Sequence, residues 1–258
     1  MSEGTVHLSI EGRIASVLFD RPQARNAMTW AMYEQLGRIC TQLQNDPGIR
    51  VVIFRGAGGE AFVAGTDIAQ FQSFSDGDDG VAYERRIDHC IEQIERLPMP
   101  TLAVVEGWAV GGGLAIATAC DFRIATPGSR FGVPIAKTLG NCLSINNLAR
   151  LTAVFGSPRV KRMLLLAELL GAEEALACGF LLQVCEPAEI TGTTMKLSER
   201  LASLAPVTQS VVKEGMRRLA THALPESEDL IRRCYASRDF REGVEAFVAK
   251  RKPVWQGH

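Results

Sequence analysis

Three consecutive glycines, Gly111-Gly112-Gly113, lie between the apolar run Trp108-Ala109-Val110 and the Ala-rich stretch Leu114 to Ala119. With no Cβ atoms their backbone N–H groups are unobstructed. At the start of a helix such donors point together toward an anion or a developing oxyanion. The same glycines also suit a helix packed tightly on a strand, so the triplet alone leaves both readings open. A second loop of similar construction, Ala64-Gly65-Thr66-Asp67, follows the strand-like run Val51 to Arg55 within GAGGEAFVAGTD. Two such donor loops would converge at the carboxyl edge of a parallel sheet, where open α/β sheets place ligands.

Other chemistry-bearing patterns are weaker. Gly56-Ala57-Gly58-Gly59-Glu60-Ala61 satisfies G-x-G-x-x-A after an apolar run, with Asp76 twenty positions beyond Gly56, which is formally a dinucleotide fingerprint. Its context argues otherwise, since Gly65 interrupts the helix that should start there and the acids lie in the loop-like SFSDGDDG. No G-K-[ST] follows a glycine loop, so a P-loop is not expected. The seven cysteines, at 40, 90, 120, 142, 178, 185 and 234, form no C-x-x-C pair, and the four histidines, at 7, 89, 222 and 258, show no metal-ligand spacing. Neither a disulfide framework nor a metal site is expected.

The elements that must position the two loops follow from periodicity. Val6 to Ile10 and Ile14 to Phe19, joined by Glu11-Gly12, predict a hairpin. Thr29 caps a helix whose stripe is Met32, Leu36, Ile39 and Leu43, stopped at Asn45-Asp46-Pro47-Gly48. Val51 to Arg55 and Thr101 to Val105 read as buried parallel strands, with a helix carrying Tyr83, Ile87, Ile91, Ile94 and Leu97 between them. A further strand is expected at Phe122 to Ala125. Helices follow over Leu143 to Phe155, from Ser157-Pro158 to Ala167, and over Ala172 to Cys178, Ile190 to Leu204, Val207 to Thr221 and Glu226 to Ala249, the last with a break near Ser237. The pattern is an α/β core over residues 1–195 and a C-terminal helical oligomerisation or cap region over 196–258.

Length and composition bound the function. A chain of 258 residues with 47% hydrophobic residues can bury a substantial core without staples. With 28 basic and 29 acidic side chains there is no global basic field for nucleic acid, and no apolar run approaches membrane-spanning length. A reducing, cytoplasmic setting without nucleic-acid or membrane partners is the default expectation.

Taken together, DRPQARNAM at 20–28, AFVAGTDI at 61–68, VEGWAVGGGLAIATACDFRIA at 105–125, FGVP at 131–134 and AFVAKRKPVWQG at 246–257 resemble the crotonase, or enoyl-CoA hydratase/isomerase, superfamily across the whole chain. The resemblance implies a crotonase-like spiral of β-β-α units with a C-terminal helical trimerisation region, assembled as a homotrimer or dimer of trimers. It implies an acyl-CoA thioester as substrate, no further cofactor, and lyase or isomerase chemistry of the kind found in fatty acid metabolism. Carried over by position, the oxyanion hole falls on the N–H groups of Thr66 and Gly112, where donors would stabilise an enolate-like charge. Ala24, Arg25 and Asn26, with Ala64, Asp67 and Ile68, match stretches that hold CoA. Arg25 is either a phosphate contact or a solvated surface residue. Trp108, Val110, Gly111, Pro134 and Ile135 match substrate-binding positions, and Phe247 and Lys250 are expected near a neighbouring subunit's CoA.

The same comparison exposes a departure. Where hydratases of this superfamily carry two glutamates, this chain has Ala115 and Ile135, neither of which can exchange a proton. No Asp or Glu occurs from Phe122 through Ala167, where the chain average would give about five. In that stretch stand Thr138, Asn141, Cys142 and Ser144. Cys142 is either a nucleophile or a packed thiol, and Asn141 either orients water or the acyl group or caps the helix starting near Leu143. Asp67 and Glu84 are the nearest acids that could enter from elsewhere, and Asp121 reads as structural. Three functions stay open: an acyl-CoA enzyme with an altered acid-base set, including thioester hydrolase, isomerase or lyase chemistry; a non-catalytic acyl-CoA-binding protein; and a nicotinamide-dependent enzyme built on Gly56 to Ala61.

Overall fold

A computed structural model describes residues 3–221 and 226–256. His222, His258 and Gly257, the last residue of the C-terminal motif, lie outside the described residues. The chain opens with the predicted hairpin, β1 (Thr5–Glu11) and β2 (Ile14–Asp20), paired antiparallel in register. Helix α1 (Trp30–Gln44) follows, capped by the Thr29 side chain on the Met32 N–H.

Three units then repeat one plan. In the first, β3 (Val51–Gly56) and β4 (Ala61–Ala64) lead through a 3-10 turn (Ile68–Ser73) to α2 (Gly77–Glu95). In the second, β5 (Thr101–Val105) and β6 (Trp108–Val110) lead to α3 (Gly112–Ala119). In the third, β7 (Phe122–Ala125) and β8 (Arg130–Gly132) lead to α4 (Ile145–Leu165), which kinks at Gly156 just before Pro158. The first two units follow the plan of strand, glycine loop and helix that the sequence predicts, and in each a short strand forms inside the loop.

The first strand of every unit joins a six-stranded sheet ordered β1-β2-β3-β5-β7-β10, with β10 at Gln183–Val184, parallel except for the opening hairpin. The second strand joins a smaller sheet ordered β4-β6-β8-β9, with β9 at Leu170–Gly171. Alternation between two sheets gives the spiral of β-β-α units expected from the sequence. Every residue of β5 is buried, as a parallel strand covered on both faces requires.

The remaining helices are α5 (Ala172–Ala177), α6 (Ile190–Ala202), α7 (Pro206–Thr221), α8 (Glu228–Tyr235) and α9 (Arg238–Val248), with Ser237 capping α9 at the predicted break. Helix α7 leaves Val207, Val211, Met216 and Leu219 exposed. By contrast α8 and α9 fold back on the core. The Tyr235 and Phe240 rings lie 4.7 Å apart at a tilt, and Phe240 meets Phe71 of the 3-10 turn edge-on at 5.9 Å, which packs α8 and α9 on that turn.

The glycine-rich Gly56 to Ala61 segment is a turn between β3 and β4, and no helix begins there. A Cβ at Gly56 would lie 2.2 Å from the Ala61 carbonyl oxygen, so this glycine serves a strand-to-strand close approach. The dinucleotide reading is overturned on that geometry.

Candidate functional site

The two glycine loops meet. Gly65, at φ 92°, turns the chain out of β4, and Thr66 forms a parallel bridge to Met28. Met28 donates to the Gly65 carbonyl at 2.9 Å and accepts from Asp67 N–H at 2.8 Å. In a parallel bridge the residue between those two turns its own N–H to the opposite side, so Thr66 N–H faces away from Met28. Gly112 is the first residue of α3, where N–H groups have no intrahelical acceptor. A Cβ at Gly112 would stand 3.3 Å from Thr66 Oγ1, which shows how closely the loops abut. The triplet divides its work: Gly111 (φ 54°) makes the turn, and Gly113 lets the helix sit against Val63, whose carbonyl oxygen would be 1.9 Å from an added Cβ. The tight-packing reading of the triplet thus applies to Gly113, and Gly112 is left at the helix start with an N–H that no helix residue accepts.

Below the loops is a cavity of about 220 Å³, and its lining includes Ala64, Thr66, Ile68, Val110, Gly111, Gly112, Pro134, Ile135, Asn141 and Phe247 from the sequence-derived set. Ala115 lines it as well, so both positions that lack the hydratase glutamates face this space. Phe247 reaches the cavity of its own chain, because α9 folds back over the 3-10 turn.

Other expected residues fall elsewhere. Asn26 is fully buried, with Oδ1 accepting from Arg21 N–H at 2.9 Å and Nδ2 donating to the Ala57 and Ala61 carbonyls at 2.9 and 2.8 Å. It clamps the 21–26 loop to β4. Asp67 is held 2.7 Å from Arg21 and also caps the 3-10 turn through the Ala69 N–H, so it does not enter the cavity as an acid. Trp108 sits two residues up β6 from Val110, roughly 7 Å along a strand, and lines an outer groove instead. Arg25 shares that groove, 6.0 Å from the Trp108 ring, alongside Glu60 and Glu186. Ala24 lies in the 22–24 turn and Lys250 just beyond α9, both outside the cavity lining. Asn141 does not cap α4; Ser144 does, accepting from the Asn147 N–H at 3.1 Å. Cys142 is absent from the cavity lining, and its contact with the Cys234 sulfur together with burial push its thiol well above the usual range. That leaves no thiolate at neutral pH, and the packed-thiol reading stands. Asp121 is structural as expected, accepting from Thr101 and pairing with Lys213.

What enters the cavity in place of the missing glutamates is Glu84, from α2. It is 2% exposed, with Oε1 accepting from the Tyr235 hydroxyl at 2.7 Å and Oε2 from Ser144 N–H at 2.9 Å. Burial pushes its carboxyl up to about 7. Asn141 Nδ2 donates to the Tyr235 hydroxyl at 3.4 Å, while its Oδ1 is buried without a partner among the described residues. Beside the loops, Thr66 Oγ1 is flanked by the hydroxyls of Tyr33 at 2.9 Å and Tyr83 at 3.0 Å, both kept neutral by burial. Tyr33 and Tyr235 were not anticipated. Tyr33 stands next to the α1 stripe residue Met32, and Tyr235 arrives from 151 positions beyond Glu84.

Among the described residues no group of His, Cys, Asp and Glu is arranged to hold a metal, and no helix is long and apolar enough to cross a membrane.

Against known proteins, the family profile described as enoyl-CoA hydratase/isomerase matches residues 9–258. A short-chain-enoyl-CoA hydratase of Clostridium acetobutylicum is 31% identical over 98% of this chain and 97% of its own length. A carnitinyl-CoA dehydratase of Escherichia coli O157:H7 is 33% identical over the full length of both. Among solved structures, methylmalonyl-CoA decarboxylase complexed with 2S-carboxypropyl-CoA superposes with a TM-score of 0.90 at 30% identity, covering 100% of each chain.

Proposed function

The chain belongs to the enoyl-CoA hydratase/isomerase family, and from that premise we propose that it is an enzyme that forms an enolate from an acyl-CoA thioester. The observation that carries this reading is the meeting of Thr66 and Gly112 at the rim of a largely apolar cavity. A thioester carbonyl oxygen placed between their N–H groups gains two fixed donors that strengthen as negative charge develops on it. Val110, Pro134 and Ile135 form an apolar wall that keeps water from the enolate. The cavity holds the volume of about seven waters, which suits a short acyl group. The ordinary two-glutamate hydration mechanism is put in doubt, because Ala115 and Ile135 can neither deliver nor activate water.

The test is reaction-neutral. In D₂O, an enzyme of this kind exchanges the α-protons of a saturated short-chain acyl-CoA, read by mass spectrometry. A panel of enoyl-, hydroxyacyl- and carboxyacyl-CoA esters then finds the product-forming reaction. Binding of acyl-CoA without exchange or turnover on any of them would replace this reading with the non-catalytic one.

Decarboxylation is the specific reaction favoured next. Loss of CO₂ from an α-carboxylated acyl-CoA needs an oxyanion hole and an apolar pocket but no base at the carbon. The full-length likeness to methylmalonyl-CoA decarboxylase points the same way. CO₂ release from malonyl- or methylmalonyl-CoA tests it. For assembly, we infer a homotrimer or dimer of trimers, supported by the exposed apolar face of α7 and checked by native mass spectrometry.

A further inference from the structure

An enolate must gain or lose a proton at carbon, and the two family positions that would handle it are apolar here. Glu84 is the one carboxyl among the described residues lining the cavity. Its two oxygens accept from Tyr235 and from Ser144 N–H, and a carboxylate oxygen has two lone pairs, so each keeps one for a substrate proton. The Tyr235 hydroxyl has a single proton. While that proton points at an ionised Glu84, Asn141 must present its amide NH₂ to the tyrosine oxygen, which accounts for the unpartnered Oδ1. Once Glu84 carries a proton it can donate to the Tyr235 oxygen, and with the Asn141 amide flipped Tyr235 can donate its own proton to Oδ1. The chain Glu84, Tyr235 and Asn141 thus has two consistent hydrogen-bond settings, one for each protonation state.

We propose that Glu84, positioned by Tyr235, carries the proton to and from the enolate carbon, an assignment that rests on the enolate reading above. Glu84 carboxylate takes the proton; the C–H bond breaks and an O–H bond forms. The electron pair moves onto the thioester oxygen facing Thr66 and Gly112. The reverse step returns the proton to carbon, and no other reactant is required.

The groups facing Glu84 set its ionisation. They are Asp88 on its own helix, Tyr33 from α1, Tyr83 from α2, Tyr235 and Cys234 from α8, and Cys142 from the loop before α4. Asp88 is itself paired with Arg150 at 3.1 Å. The hydroxyls and the Cys142 thiol are all shifted upward and stay uncharged near neutrality, while the Cys142 contact shifts the Cys234 thiol downward, so a Cys234→Ala control separates its titration from that of Glu84.

Exchange of butyryl-CoA α-protons in D₂O tests the assignment. Glu84→Gln should lower the exchange rate about 100-fold or more, as loss of a general acid-base does. Its affinity for butyryl-CoA should stay within about threefold, which also certifies its fold. In the unmodified protein the rate should rise with pH through about 7. Tyr235→Phe should move that limb to higher pH, because it removes a hydrogen bond that favours the ionised carboxyl. A purely structural glutamate would not move the limb. Wild-type exchange in Glu84→Gln, or an unshifted limb in Tyr235→Phe, overturns the proposal and leaves the enolate reading standing. Absence of exchange and turnover in the unmodified protein removes both.

Discussion

A Cβ placed on Gly112 would lie 2.6 Å from the hydroxyl of Tyr33, a buried ring whose oxygen also sits 2.9 Å from Thr66 Oγ1. The Gly112 and Thr66 loops are therefore locked through one tyrosine. Tyr33 is 1% exposed and cannot swing away, so Gly112→Ala must displace either the start of α3 or the Thr66 loop. Turnover should fall about 100-fold, the scale of losing one oxyanion donor, and stability by about 1–3 kcal/mol from overpacking. Adding Tyr33→Phe removes the clashing oxygen and should recover part of both. Steady-state kinetics with thermal unfolding check it, and a Gly112→Ala enzyme as active as the parent would show that the tight junction is irrelevant.

Asp67 follows Thr66 directly, yet its role is to anchor. Its carboxylate lies 2.7 Å from Arg21, whose side chain is 7% exposed. Asp67→Asn should cost about 2 kcal/mol, the worth of a hydrogen bond to a charged group, and lower kcat/KM about tenfold by loosening the Thr66 loop. The pH limb of the reaction should stay where it was. If that limb disappears in Asp67→Asn, Asp67 is the acid and the anchoring account is wrong.

Much of this was legible in the sequence, for identifiable reasons. The strands β3 and β5, the cap at Thr29, the helix break at Ser237 and the two glycine loops depend on local patterns, and each is found where expected. The added strands β4, β6 and β8 escaped because three or four residues are too few to show a period. Glu84 left a trace. It sits three residues before Ile87 and seven before Ile91, on the stripe that α2 buries, and a glutamate at core spacing needs a reason. The surroundings of Asn26 and Trp108 were not legible because they are long-range: the carbonyls of Ala57 and Ala61 occupy the Asn26 amide, and Trp108 lines the outer groove with residues as distant as Glu186.

Cys142 should be dispensable for chemistry. Its thiol is pushed up by the Cys234 contact and burial, so almost none is thiolate at neutral pH. Cys142→Ser should keep turnover within about threefold, because no nucleophile is lost. In the unmodified protein, iodoacetamide should label this residue far more slowly than a free thiol, as peptide mass mapping can show. Rapid labelling with loss of activity would restore the nucleophile reading.

Glu84 also predicts how stability depends on pH. In the unfolded chain its carboxyl titrates near 4.5; in the fold, burial raises it to about 7. Between those values the folded protein keeps a proton that the unfolded chain has released, so stability falls as pH rises through the window and levels off above about 7. From pH 5 to pH 8 the loss due to this residue is about 2 to 3 kcal/mol. Glu84→Gln cannot titrate, so urea unfolding at the two pH values should show the variant gaining that amount on the parent at pH 8. An unchanged difference would mean that Glu84 is ionised in the fold at pH 5 and is not held poised. Activity and stability then run in opposite directions: the ionised carboxylate that takes the substrate proton is the form the buried site holds at a cost in folding free energy.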